Sequence, residues 1–253
     1  MEPAGRHALV TGGGRGIGAA IARALTQAGA QVTIAGRNEA PLRDAVADGV
    51  AAGFCQLDVT DEASITFGIA EAVAARGDID ILVNNAGAVE TAPFARLHRG
   101  LWERMIAVNL TAVYAMTHAV LPGLVARGWG RVVNVASTAG LRGYPYVAAY
   151  VAAKHGVVGL TRALALETAR SGVTVNAVCP GYTDTELLRE SITGVMAKTG
   201  KSADAVMNSF TAANPQGRLV RPDEVAAAVL FLCGPGSDAM TGQAMAVAGG
   251  EVM

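Results

Sequence analysis

The sequence predicts an α/β protein built on a mainly seven-stranded, doubly wound parallel sheet, with a layer of helices on each face. Three observations carry this. Short apolar runs alternate with alanine-rich stretches of helical periodicity along the whole chain. The runs are unbroken, as in strands buried on both faces, and do not alternate apolar with polar. The first run passes directly into a glycine-rich turn and a helix, which is how a βαβ unit begins.

The strands are expected at "HALVT" (7–11), "QVTIAG" (31–36), "GFCQLDV" (53–59), "DILVN" (80–84), "RVVNVAS" (131–137), "VTVNAVCP" (173–180) and "AMAVAG" (244–249). Between them lie helical segments, the two most apolar at about 101–126 and 149–170. The second is apolar around nearly its whole circumference, and such a helix is usually buried on all sides. One side is expected to meet the sheet and the other a partner subunit. A polar, poorly periodic segment at about 182–215 interrupts the pattern after the sixth strand. A long insertion of that kind is more often an active-site lid than a disordered stretch. Without linker, repeat or low-complexity tract, residues 1–253 read as a single domain carrying this lid.

Composition narrows the function. Of 253 residues, 51% are hydrophobic and 16% charged, which excludes a disordered or fibrous chain. Net charge is −1 with no basic block, so neither nucleic acid nor an anionic membrane is an expected partner. The start, "MEPAGRHALVTGG", has no signal-peptide pattern. Cys55, Cys179 and Cys233 stand far apart in apolar contexts and read as free thiols of a reducing, cytoplasmic setting. The four histidines show no ligand spacing, so no metal site is expected.

The turn "LVTGGGRGIGAAIARAL" follows the first strand and opens a helix. Gly12, Gly14, Gly16 and Gly18 let the backbone approach a phosphate closely, and the helix start directs free N–H groups and a positive dipole end at it. The second strand ends in "TIAGRN". A carboxylate there would bond the adenosine ribose and repel a 2′-phosphate. Gly36 and Arg37 stand there instead, with Arg15 as a second cation, which favours NADP(H) while leaving NAD(H) open. The alternative for Arg37 is a solvated loop residue.

These segments, with "DV" (58–59), "NNAG" (84–87), "VNL" (108–110), "NVAS" (134–137), "YVAAK" (150–154) and "PGYTDT" (180–185), occur in order over residues 5–250. In them the chain resembles the short-chain dehydrogenase/reductase family, of the compact type. The resemblance implies a Rossmann fold and a nicotinamide coenzyme. It places the coenzyme on Gly12, Gly14, Arg15, Gly16, Ile17 and Gly18, and on Arg37. Asp58 and Val59 would hold the adenine edge. Asn85, Ala86 and Gly87 would line the coenzyme, with Asn84 bracing neighbouring strands, and Pro180, Gly181 and Thr183 would contact the carboxamide. Asn109, Ser137, Tyr150 and Lys154 match the family's catalytic tetrad, and Tyr150 and Lys154 also border the coenzyme. A homotetramer is implied as well. The chain departs from the family pattern in 182–215 and in "TAGLRGYPY" (138–146), so the substrate stays open.

The residues support the chemistry independently. Tyr150 and Lys154 are four apart on an expected helix and therefore share a face. Reducing a ketone requires a proton donor at the developing alkoxide, and oxidising an alcohol requires a base. A neighbouring ammonium stabilises phenolate and is expected to lower the phenol's pKa. Ser137, at a strand end, can donate to a substrate carbonyl. Asn109 is an amide in an apolar helix and needs partners, because unpaired burial costs about 1–3 kcal/mol. In the family it holds a water that links the lysine to solvent. Ser137 has no histidine–acid pair placed for acyl transfer, and His155 points about 100° round the helix from Lys154, toward a packing surface.

The expected activity is interconversion of a ketone and a secondary alcohol. "NPQGRLVRPDEVA" resembles segments of enzymes acting on 3-oxoacyl or hydroxyacyl thioesters and of polyketide ketoreductases, so a CoA- or carrier-linked substrate is one expectation. An NAD-dependent hydroxyacyl dehydrogenase and a silent nucleotide-binding protein are the alternatives. Tyr144, Tyr146, Tyr182 and Leu187 either line an apolar pocket or pack loops. Arg142 either meets a carrier phosphate or is solvated.

Overall fold

A computed structural model describes residues 3–253, the side chain of Lys198 excepted, so residues 1 and 2 of the expected domain lie outside the described residues. Seven strands form one sheet: β1 (His7–Thr11), β2 (Gln31–Gly36), β3 (Gly53–Gln56), β4 (Ile81–Asn84), β5 (Gly130–Val135), β6 (Val173–Pro180) and β7 (Ala244–Val247). Their order is β3-β2-β1-β4-β5-β6-β7, and every pairing is parallel. The chain starts in the middle, winds outward to β3, then crosses back to β4. Loops leaving β1 and β4 therefore diverge at the carboxyl edge, the switch point where ligands of open α/β sheets bind.

Helices cover both faces because the strands are apolar on both. One face buries α1 (Gly16–Gln27), α2 (Glu39–Ala47) and α9 (Pro222–Cys233) through Ile21, Leu25, Leu42 and Val229. The other buries α3 (Glu62–Arg76), α5 (Ala112–Arg127) and part of α6 (Ala148–Thr168) through Ile65, Met116, Val120 and Ala165. The result is the three-layer, doubly wound Rossmann arrangement.

Several expected boundaries shift. β3 ends at Gln56, short of 59, and beyond it the Asp58 N–H donates to Ser64 Oγ at 2.9 Å instead of to a strand. β5 ends at Val135, so Ser137 lies beyond the strand and caps a short 3-10 turn, Thr138–Gly140. The helix expected over 101–126 is continuous from α4 (Arg99–Ile106) through a π turn, Ala107–Thr111, into α5. By length and composition this 29-residue stretch could cross a membrane, but Met105, Val113, Met116, Val120 and Leu124 pack it into the protein interior.

The largest difference concerns 182–215. Instead of irregular chain it forms a helical hairpin, α7 (Glu186–Thr199) and α8 (Ala203–Thr211), turned at the left-handed Gly200. Thr185 and Ser202 cap the two helices by accepting from Leu188 N–H and Ala205 N–H. Leu188, Ile192 and Val206 pack with Tyr182, Met196 and Phe210 into a small cluster of their own. The apolar residues were present, but a stripe this narrow is a weak periodic signal.

A polar ladder crosses the buried centre of the sheet. Asn84 Nδ2 donates to Asn134 Oδ1 at 2.9 Å and to Thr117 Oγ1 at 3.0 Å, and Asn134 Nδ2 donates to Thr161 Oγ1 at 2.9 Å. β4 and β5 are thereby tied to α5 and α6. The three cysteines are buried and free.

Candidate active site

The site begins at the glycine turn. Gly12 has a φ of +66°, and a Cβ there would stand 2.9 Å from Asn85 Nδ2. A Cβ on Gly18 would lie 2.2 Å from the Gly12 carbonyl oxygen, so α1 can close on the turn only without a side chain. Gly14 and Arg15 complete the turn, Gly16 starts the helix, and Ile17 packs against the core below. The first turn of α1 carries no acidic residue, and its N-cap, Arg15, makes no side-chain capping bond. Its N–H groups therefore face the cleft uncapped, as anion binding requires. The glycine turn thus fits a dinucleotide pyrophosphate. Arg15 reaches sideways, 3.4 Å from Glu186 and 3.8 Å from Glu190 on α7. A 2′-phosphate would compete with those carboxylates for it.

Arg37 stands at the end of β2, across from Asp58. Burial would raise the Asp58 carboxyl pKa, but two hydrogen bonds from Thr60 and the nearby Arg37 charge bring it below its ordinary value. Arg37, Asp58, Leu57, Gln56 and Phe67 line a cleft at this end of the sheet. Val59 is buried beneath it.

Beyond β4 the chain is held from both sides. Thr11 Oγ1 accepts from Asn85 N–H and Ala86 N–H, each at 3.0 Å, and Asn85 Nδ2 donates to the Thr11 carbonyl at 2.9 Å. Asn109 is fully buried in the π turn, which swings its amide out of the helix. Its Nδ2 donates to the carbonyls of Ala88 and Met105, at 2.9 and 3.0 Å, and its Oδ1 accepts from Ala88 N–H at 3.2 Å. The partners Asn109 requires are thus backbone groups. A Cβ on Gly87 would stand 2.8 Å from Asn109 Oδ1 and 3.9 Å from Lys154 Nζ, so Gly87 is where loop, amide and ammonium converge.

Lys154 is buried, and its Nζ donates to the Val135 carbonyl at 2.8 Å. Burial draws its pKa down to about 8, with a small opposing effect of Cys179. Nζ lies 5.6 Å from the centre of the Tyr150 ring, over its face. The phenol behaves otherwise than its spacing from lysine predicts. Burial raises its pKa, and hydrogen bonding by Ser137 only partly opposes the rise. The lysine's hydrogen bond goes to the Val135 carbonyl, and its charge lies over the ring face. Ser137 Oγ accepts from Ala139 N–H at 3.1 Å, which fixes the hydroxyl beside Tyr150. Asn109, Ser137, Tyr150 and Lys154 are therefore brought around one cleft. His155 is exposed and bonds the Val151 carbonyl, away from it.

The far wall is built by Pro180, the last residue of β6, then Gly181, Tyr182 and Thr183, whose Oγ1 donates to the Gly181 carbonyl at 2.9 Å. Tyr144 and Tyr182 meet edge to face at 6.3 Å, and Tyr182 meets Phe210 at 4.7 Å. Arg142 lies over the Tyr144 ring, 5.0 Å from its centre. Tyr146 and Leu187 are largely exposed, so two of the four candidate lining residues sit at the rim. Sequence reasoning missed Thr11, Thr138 and Glu251. Thr11 was within reach as the residue ending β1, whereas Glu251 carries no local signal.

Known proteins are similar to this chain in sequence and fold. The short chain dehydrogenase family model matches residues 6–195. A Streptomyces coelicolor protein provisionally named a ketoacyl reductase is 43% identical over 252 residues, 96% of this chain and 95% of its own. An acetoacetyl-CoA reductase of Shinella zoogloeoides is 41% identical, covering 97% of this chain and 98% of its own. A variant of actinorhodin polyketide ketoreductase crystallised with NADPH superposes with a TM-score of 0.94 at 42% identity, covering 97% of each chain.

Proposed function

The chain belongs to the short-chain dehydrogenase family, an oxidoreductase acting on CH–OH groups, and from that premise we propose that it is an NADP(H)-dependent ketoreductase for 3-oxoacyl thioesters or bulky polyketide-like ketones. The observation that carries the reading is the meeting of Ser137, Tyr150 and Lys154 beside a glycine turn with uncapped N–H groups. The relatives named for acetoacetyl-CoA and polyketide ketones support the substrate class.

The glycine turn, Arg37 and Asp58 would hold a nicotinamide coenzyme, which would supply or accept the hydride. Ser137 donates a hydrogen bond to the substrate oxygen and orients the carbonyl. Tyr150 gives its proton to the oxygen as alkoxide develops, and takes it back in alcohol oxidation. Burial raises the phenol's pKa and so keeps the proton on the group that must deliver it. Lys154 places a positive charge beneath the phenol ring, and Asn109 fixes the loop of Gly87 against it. The α7–α8 hairpin acts as the lid. Purified chain mixed with NADPH and an acetoacetyl thioester should oxidise the coenzyme. No turnover with any ketone and either coenzyme would refute the reading.

Coenzyme choice rests on Arg37. Arg37→Gln should raise the Kd for NADPH by ~10- to 100-fold, the range expected for losing a charge-assisted bond to phosphate. NADH binding should hardly change, and equal losses for both would assign the arginine another role.

We further propose a homotetramer. Trp102 on α4, Tyr114 and Val125 on α5, and Leu166 on α6 remain exposed, Leu166 by 82%. These are large apolar groups on the two most apolar helical segments, which we take as the faces that meet partner subunits. Light scattering at micromolar concentration should give four chains, and a monomer mass would overturn the assembly.

A further inference from the structure

The last residues of the chain return to the substrate side of the cleft. Glu251 follows β7, and its Oε1 accepts a short hydrogen bond from the Tyr144 hydroxyl. That hydroxyl also lies 2.8 Å from Oγ1 of Thr138, which is buried and directly follows Ser137. A phenol has one proton. With the Tyr144 hydroxyl donating its hydrogen bond to Glu251, the Thr138 hydroxyl completes the chain as donor to Tyr144. Arg142 closes the other side, its Nη1 donating to the Glu251 carbonyl at 3.4 Å. Burial and the bond to Glu251 raise the Tyr144 pKa, so Tyr144 stays protonated and remains the donor.

The second oxygen of Glu251 sharpens the argument. Oε2 is buried, and no donor among the described residues reaches it. It occupies the space that Gly181 leaves, 2.9 Å from where a Cβ would stand. A desolvated carboxylate oxygen without a donor is costly. Such a cost persists where the same group supports function. The wall it supports lies between the Ser137 turn and Tyr182, whose own phenol is raised by burial and by the Glu251 charge.

We propose that Glu251 is a positioning residue for the reduction: its carboxylate fixes Tyr144, and through Thr138 the turn that carries Ser137, and so sets the substrate-facing wall of the cleft. This rests on the ketoreductase reading, because the wall it sets is that reading's substrate site.

The test compares Glu251→Ala, Glu251→Gln, Tyr144→Phe and the Glu251→Ala/Tyr144→Phe double variant, all as full-length chains. Glu251→Ala should raise KM for the ketone and lower kcat/KM by about tenfold, the effect of about 1.4 kcal/mol. The Kd for NADPH should stay within about twofold. Glu251→Gln keeps an acceptor for Tyr144 and should restore most of the loss. The double variant should be no worse than the poorer single one, because both changes break one chain of bonds. Equal losses for Ala and Gln, losses that multiply, or a parallel loss of NADPH affinity would each overturn the proposal. Hydrogen exchange supplies a readout independent of turnover. In Glu251→Ala, amides of residues 138–146 should exchange faster while those of α1 keep their protection. Unchanged exchange at 138–146 would also overturn it. A wild-type chain inactive on every ketone would instead defeat the ketoreductase reading.

Discussion

Tyr150→Phe is expected to lower the rate of ketone reduction by at least ~10²–10⁴-fold, the usual cost of losing a general acid. The substitution removes one oxygen and leaves the ring over which Lys154 sits. Coenzyme binding should therefore change little, and steady-state rates with a separate measurement of NADPH affinity check both halves. The neighbouring hydroxyls make the result informative. Ser137 is the hydroxyl that opposes the rise of the phenol's pKa, so it is the obvious substitute donor. An aliphatic hydroxyl without a base behind it is a poor acid, and the Phe variant should stay slow at every pH. Near-normal turnover would mean that the proton travels by another route.

Lys154→Met should show an opposite pairing of effects on activity and stability. Activity should fall by ~10²-fold or more, because the charge beneath the phenol is lost. Stability at neutral pH should hold or rise. The lysine is buried, and its pKa is drawn from 10.5 down to about 8. Between those values the unfolded chain binds a proton that the folded chain does not. Stability of the wild type should therefore increase as pH rises from about 8 toward 10.5, and below pH 8 the buried charge costs on the order of 3 kcal/mol. Methionine escapes that cost but leaves the Val135 carbonyl without its donor, which returns about 1–3 kcal/mol. Urea unfolding at pH 7 and pH 9.5 tests the sign. The wild type should gain on Lys154→Met at the higher pH, and a constant difference would refute the assignment.

Much of this site was legible because its residues act through local pattern. The glycine turn, the absence of an acid at Gly36–Arg37 and the i, i+4 spacing of Tyr150 and Lys154 need only strand, turn and helix geometry. All three lie at the carboxyl edge that the strand order dictates. Other features depend on contacts between segments far apart in sequence. The π turn at Asn109 exists because an amide must reach the Ala88 backbone, and nothing in "MIAVNLTAVYAM" marks that bulge. The phenol's raised pKa comes from burial, which spacing does not report. Glu251 meets Tyr144 across 107 residues, so no window of sequence contains both. The hairpin at 186–211 was hidden for a different reason, since its apolar residues serve a cluster too small to impose strong periodicity.

That separate cluster makes the hairpin a module of its own. Leu188, Ile192 and Val206 pack with one another and with Tyr182 and Phe210, apart from the two interiors that hold the sheet. None of the described residues of α7 or α8 belongs to either interior, so substitutions on the hairpin's buried face should leave both intact. Changes there can reshape the mouth of the cleft while the glycine turn and the candidate catalytic residues keep their own packing.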